Sequence, residues 1–209
     1  MLKGASLRRR PSHMTQYDWQ PLSPHRAADL LAGLRAPWWI AGGWAIDLFL
    51  GRETRTHADL DIALLRGTEP SLRQALPAWD IQIAHDGRFI PWDGDPIVAP
   101  HHQFWARPDA GAPWAVEFML EEHLRDVWAY RRDARVTMPL ARLGRTTADG
   151  LPYICPGVAL LYKARGKGSE RNTADFESAV SALPTEERRW LREALTIAHP
   201  GHAWIERLE

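Results

Sequence analysis

Cysteine is almost missing from this chain. Cys155 stands alone among 209 residues, so no internal disulfide can form and a reducing, cytoplasmic setting is expected. Net charge is missing too, with 26 basic side chains against 26 acidic ones. That balance lacks the electrostatic footprint of a nonspecific nucleic-acid binder, and it disfavours nucleic acid as a partner. No apolar run is long enough to span a bilayer. The longest uncharged one, Ala36 to Ile46, contains Pro37, Gly42 and Gly43, so no membrane role is expected. Phenylalanine and tyrosine are sparse, at five and four residues, whereas tryptophan numbers eleven. Such an excess serves as packing or as the aromatic wall of a ligand cleft. Trp38, Trp39, Trp44 and Trp114 flank apolar segments and read as packing, while Trp92 and Trp105 fall in an irregular stretch where a pocket is expected.

The beginning of the chain, Met1 to His13, carries Lys3, Arg8, Arg9 and Arg10 without apolar periodicity or the apolar core of a secretory signal. It reads as the main part of a disordered tail over residues 1–18. Helix-like and strand-like pieces then alternate. Ser23-Pro24 opens an amphipathic helix, and Trp44 to Leu50 reads as a second one closed by Gly51. Strands are expected over Trp38 to Ala41, Ala58 to Leu65, Asp80 to Ala84, Gln103 to Arg107, Trp114 to Leu120, Asp126 to Tyr130 and Val136 to Met138. The stretch from Gly87 to Pro113 is rich in Pro, Gly and Asp, which leaves its pairing open. Beyond Pro152 the pattern turns helical, with helices expected over Pro156 to Ala164, Thr173 to Leu183 and Thr185 to Ala198. The organisation is thus an α+β mixed sheet region over 19–150 followed by a helical region over 151–209.

The informative segment runs from Gly42 to Asp61. Alternate residues of a strand share a face, so Asp59 and Asp61 are expected to project together while Leu60 and Ile62 turn inward. Two carboxylates roughly 7 Å apart repel one another without a counter-charge. Hard oxygen ligands of this kind suit a magnesium ion bound together with phosphates. An Asp-x-Asp alone is more often a solvated strand end. The Gly42-Gly43 turn adds a second signal, because its backbone can approach a phosphate and the following helix start adds positive potential. Strand, Gly-Gly, helix, then strand with Asp-x-Asp is the order that places a triphosphate beside a metal.

The run GGWAIDLFLGRETRTHADLDIAL resembles the aminoglycoside 2''-adenylyltransferase and lincosamide-modifying branch of the nucleotidyltransferase superfamily. Gly42, Gly43, Trp44, Asp47, Gly51, Arg52, Thr54, Arg55, His57, Asp59 and Asp61 stand at the spacing of that family. The resemblance implies a polymerase-beta-like nucleotidyltransferase fold with a C-terminal helical region. It implies two magnesium ions and ATP or another nucleoside triphosphate as co-substrate. It also implies a third carboxylate on a later strand, best matched by Glu117 inside the apolar run Trp114 to Leu120, with Glu121 and Glu122 as competitors. Gly42, Gly43, Arg52, Arg55, His57 and Lys163 are the expected nucleotide-side residues. His57 has a second reading, that of ordering the loop before the acids, and Asp175 a reading as a tie between helices. In the implied reaction a nucleoside monophosphate passes to the hydroxyl of a small molecule, an aminoglycoside-type antibiotic among the candidates.

A polycationic acceptor calls for a cleft lined by carboxylates, and Asp93, Asp95, Glu121 and Glu122 are the candidates to line it. A lincosamide-like acceptor makes more use of tryptophan walls. Two alternatives stand beside this reading: a toxin-like transferase acting on tRNA or protein, and a non-catalytic nucleotide-binding module on the same fold. The Cys/His spacing supports no zinc site, and Cys155 reads as a buried thiol.

Overall fold

The computed structural model describes residues 18–165 and 169–209. Apart from Asp18, the tail expected at the start of the chain lies outside the described residues. Ten strands form one mixed sheet: β1 (Trp38–Ile40), β2 (Asp61–Leu65), β3 (Asp80–His85), β4 (Arg88–Pro91), β5 (Gln103–Arg107), β6 (Val116–Leu124), β7 (Val127–Ala129), β8 (Thr137–Pro139), β9 (Gly144–Thr146) and β10 (Pro152–Ile154). The main path runs β4-β3-β5-β6-β2-β1-β10-β9, and β7 and β8 extend the far end of β6. Two pairings are parallel, β1 with β10 and β2 with β6, and the others are antiparallel.

The helices are α1 (Pro24–Leu30), α2 (Gly42–Leu50), α3 (Pro70–Ala75), α4 (Pro156–Ala164), α5 (Glu170–Ala179), α6 (Thr185–Ala198) and α7 (Trp204–Arg207). The mixed sheet with a helical C-terminal segment agrees with the α+β expectation. Among the described residues no helix is long and apolar enough to cross a membrane.

Register decides which side chains meet. Ile40, Ile62, Phe118, Phe104 and Ile83 align across five strands, and the first four are fully buried. The next row, shifted by one residue, holds Asp61, Glu117, Trp105 and Gln82. Side chains alternate along a strand, so this polar row lies on the opposite face from the apolar one.

Several boundaries differ from expectation. The strand expected from Ala58 begins at Asp61, and the loop before it is tied at Thr54 and His57 by side-chain hydrogen bonds to Asp47. Asp59 lies just before the first residue of the strand, and the expected alternation holds in burial: Leu60 and Ile62 are fully buried, whereas Asp59 and Asp61 retain exposure. The helix expected from Trp44 begins at Gly42, where the Ala45 N–H closes its first turn on the Ala41 carbonyl. α5 begins at Glu170 rather than Thr173, since the Ser169 hydroxyl accepts from the Asn172 N–H and caps it. In the stretch whose pairing was left open, Asp86 and Gly87 both adopt positive φ and turn β3 into β4.

Candidate active site

The acids meet at the start of β2. Asp61 is the direct register partner of Glu117, and the backbone tightens that pairing: the Glu117 N–H donates to the Leu60 carbonyl at 2.9 Å. Asp59 adds its charge from the loop just before the strand. Burial and then the charge of Asp59 push the Asp61 carboxyl up, against the opposing influence of Lys163 and Arg55. Burial also pushes Glu117 well above the ordinary carboxylate range, and the charges of Asp61 and Asp59 push the same way. The Gln103 amide donates to Glu117 Oε1 at 2.5 Å and fixes its orientation.

Among the described residues no three His, Cys, Asp or Glu side chains form a closed metal cage. The acids nonetheless fit a hard divalent cation. They offer only oxygen donors, and they repel one another unless a cation lies among them. Magnesium is commonly held by one or two carboxylates and completed by substrate phosphates, so a full protein cage is not required.

Both glycines are closely approached by side chains of the site. Gly42 has φ +61°, and a Cβ placed there would lie 1.8 Å from Asp61 Oδ2. A Cβ on Gly43 would lie 2.1 Å from an Arg55 terminal nitrogen and 2.8 Å from the His57 ring. The bare backbone of the Gly-Gly turn is thus pressed directly against an acid and a cation of the site.

Asp47 organises the loop between α2 and β2. Its side chain is buried and accepts from Thr54 Oγ1 at 2.5 Å and from His57 Nε2 at 2.6 Å. The His57 ring also stacks on Trp44, with centroids 4.2 Å apart. His57 therefore takes the loop-ordering place, engaged on both sides. The motif spacing included Asp47 and Thr54 but carried no signal for their pairing.

The cations of the site converge on Asp175. Arg55 donates from Nε and Nη2 to the two Asp175 oxygens at 2.9 and 3.0 Å, and Lys163 Nζ lies 2.7 Å from Oδ2. Burial alone pushes the Asp175 carboxyl up, but hydrogen bonds from Arg55 and Lys163 outweigh it and leave it below its ordinary range. Arg55 is correspondingly raised, chiefly by its hydrogen bond to Asp175. The tie expected of Asp175 is present, and it reaches beyond the helices to the loop before the acids.

Other expected residues lie elsewhere. Arg52 is exposed beyond the C-terminal end of α2, opposite the Gly42 end, where it lines a groove with His25 and Asp149. Trp92 is buried on the apolar face against Phe104, so it lines no pocket beside the acids. Trp105, in register with Glu117, is on the correct face and packs against Phe89, Trp19 and Trp114. The acids expected to line an acceptor cleft are otherwise engaged or displaced. Asp93 and Asp95 follow Trp92 on a loop whose Gly94 lies against Arg73 of α3. Glu122 is gripped by Arg66, and Glu121 is buried beneath Trp128 and Tyr162.

Residues 25–93 match the family model described as aminoglycoside-2''-adenylyltransferase. A 2''-aminoglycoside nucleotidyltransferase of Escherichia coli is 65% identical over 73 residues, which make up 34% of this chain and 41% of that protein. The chain therefore matches less than half the length of this curated relative. Among solved structures, the lincomycin-bound lincosamide antibiotic adenylyltransferase LnuA has a TM-score of 0.53 at 16% identity, covering 76% of this chain and 95% of that one. ANT(2'')-Ia in complex with adenylyl-2''-tobramycin has a TM-score of 0.50 at 19% identity, covering 88% and 91%. These likenesses show a nucleotidyltransferase fold. The resemblance read from the sequence is borne out over the segment that carries its motif.

Proposed function

We propose that this protein is a magnesium-dependent nucleotidyltransferase that passes AMP from ATP to a hydroxyl of a small, antibiotic-sized molecule. The observation that carries the reading is the juxtaposition of Asp61 and Glu117 on one sheet face with the Gly42 backbone against Asp61. The matched family and the adenylyltransferases of the same fold support the adenylyl donor and the small-molecule acceptor. The single buried Cys155 suits a reducing, cytoplasmic setting.

In this reading Asp59, Asp61 and Glu117 are the oxygen ligands for magnesium, with two ions expected. Bound there, the metal supplies charge neutralisation at the attacking and departing oxygens. The chain's own residues do the rest. Arg55 and Lys163, set side by side by Asp175, face the triphosphate as a fixed cationic pair, and the Gly42-Gly43 backbone permits its close approach. Glu117, kept inclined to hold a proton, accepts one from the acceptor hydroxyl directly or through one water. Asp47, Thr54 and His57 keep the loop rigid, so that positioning costs little at the moment of reaction.

The test is pyrophosphate release from each nucleoside triphosphate with magnesium, across aminoglycosides, lincosamides and tRNA. Turnover with a small hydroxylated acceptor is expected. Turnover with tRNA alone, or normal turnover by Asp61→Ala, would overturn the reading.

A further inference from the structure

Glu117 stands on β6 between two strands that treat it differently. On one side β2 brings Asp61 directly opposite. On the other side β5 brings Trp105 directly opposite, with Gln103 on the diagonal, paired to Met119. Gln103, Trp105 and Glu117 share the polar face, because Phe104 between the first two is fully buried on the other one. A diagonal pair of this kind lies within reach of long side chains. Gln103 closes the gap: its Nε2 donates to Glu117 Oε1 at 2.5 Å.

The chemistry of this donor matters. An amide is neutral, so it orients a carboxylate without cancelling its charge. A lysine or arginine in its place would form an ion pair and compete with a metal or a proton. Each carboxylate oxygen accepts more than one hydrogen bond, so the Gln103 contact leaves Glu117 with capacity to spare. Among the described residues the Gln103 side chain makes no other hydrogen bond, and Glu117 is its partner there. The strand beneath it is firmly packed, since the Trp105 ring meets Trp19, Phe89 and Trp114 with centroids 4.8, 5.1 and 5.6 Å apart. A glutamate side chain has three torsions to order, and a donor fixed on such a strand meets that cost before the reaction begins.

We propose that Gln103 is a positioning residue for nucleotidyl transfer: from β5 it holds the Glu117 carboxyl in the orientation that receives the acceptor's proton, and it has no part in holding metal or nucleotide. The inference rests on the transferase reading and adds a residue to it. The family match ends at residue 93 and does not reach β5. Topology separates the two tasks. The Gly42 turn follows β1 and the helix of Lys163 follows β10, both beyond β2, whereas Gln103 approaches Glu117 from the opposite side of β6. Loss of its amide therefore slows the chemical step and leaves nucleotide binding alone.

The experiment uses two variants of the full chain. Gln103→Met keeps the length and loses the amide, and Gln103→Asn keeps the amide but falls one methylene short. In both, kcat for pyrophosphate release is expected to fall about 10- to 100-fold, the share of general-base catalysis that orientation supplies. The KM for ATP, and the affinity for magnesium with a non-hydrolysable ATP analogue measured by calorimetry, should stay within about twofold. A residue that only packs the sheet behaves otherwise, since Met fills the same space and Asn offers the same polarity. A second readout needs no turnover. In the metal-free protein one proton of the Gln103 side-chain amide should resonate downfield by NMR, and Glu117→Ala should abolish that shift. Undiminished kcat in either variant, an about tenfold loss of magnesium–nucleotide affinity, or an amide signal indifferent to Glu117→Ala would each overturn the inference. Failure of the transferase reading shows differently: the unsubstituted chain binds no nucleotide analogue and releases no pyrophosphate with any acceptor.

Discussion

Asp61 and Glu117 are direct partners across the parallel β2–β6 pairing, and their carboxyl groups stand on one face of the sheet, 56 positions apart in the chain. Parallel pairing brings like-directed strand starts together, so both acids sit near the beginning of their strands, beside the Gly-Gly turn that follows β1. The charge of Asp61 raises the affinity of Glu117 for a proton, and the charge of Asp59 raises that of both. That cost is what a divalent cation relieves; three predictions follow from the arrangement around it, and a fourth from Cys155.

The two glycines should differ in consequence. Gly42→Ala forces a left-handed backbone on alanine and sets its Cβ against the Asp61 carboxylate, which would have to leave its place in the site to make room. Nucleotidyl transfer is expected to fall at least about 100-fold, as for loss of a major electrostatic contact, with the fold destabilised by about 1–2 kcal/mol. Gly43→Ala meets the mobile end of Arg55 and the edge of the His57 ring, so it should be milder. Steady-state kinetics on both variants checks the ranking, and a more damaging Gly43→Ala would refute it.

Asp175 should act on nucleotide binding although it is a helix residue remote in sequence from the acids. Asp175→Asn leaves Arg55 and Lys163 without their common carboxylate, and about 2–3 kcal/mol of destabilisation is expected from breaking this buried network. In the folded fraction the KM for ATP should rise more than kcat falls. Arg55→Lys, which loses the two-point geometry but keeps the charge, should show the same split in weaker form. An unchanged KM in both variants would reduce Asp175 to a structural tie.

Magnesium should stabilise the protein in a pH-dependent manner. Burial, together with the charge of Asp59, lifts Asp61 to about 7 in the folded chain, against 3.8 for the free group. Between those values the folded state holds more protons than the unfolded one. Through this group, the metal-free protein therefore loses stability as pH rises from about 4 to about 7. In the proposed site magnesium would bind the ionised acids, so its effect on the melting midpoint should be small near pH 5 and larger near pH 8. A magnesium effect of equal size across that range would count against the acids as its ligands.

Cys155 should be chemically silent in the native protein. Burial pushes its thiol up to about 12, and the nearby charge of Glu187 adds to the shift. Too little thiolate exists near pH 8 for ready reaction, and access is closed as well. Ellman's reagent should label it only after denaturation. Fast labelling of the folded chain would contradict its placement.

By itself the sequence determined what depends on neighbours in the chain. The Gly42 to Asp61 segment specified a strand, a glycine turn, a helix and two acids, because turn chemistry and alternation act over a few residues. Those rules also marked Glu117 as an acid out of place in an apolar strand, and Cys155 as buried. Contacts made by loop side chains were less legible: those of Asp47 with Thr54 and His57, ahead of β2, depend on loop shape rather than on periodicity. Only the tertiary structure decided which distant groups meet. The β2–β6 register put Glu117 rather than Glu121 or Glu122 beside Asp61. The packing of α5 brought Asp175 to Arg55, 120 residues away. Strand parity sent Trp92 to the apolar face and Trp105 to the polar one, although both came from the same irregular stretch. Pairing register and helix docking are settled by contacts summed over the whole core, and a one-residue slip exchanges the faces of a strand.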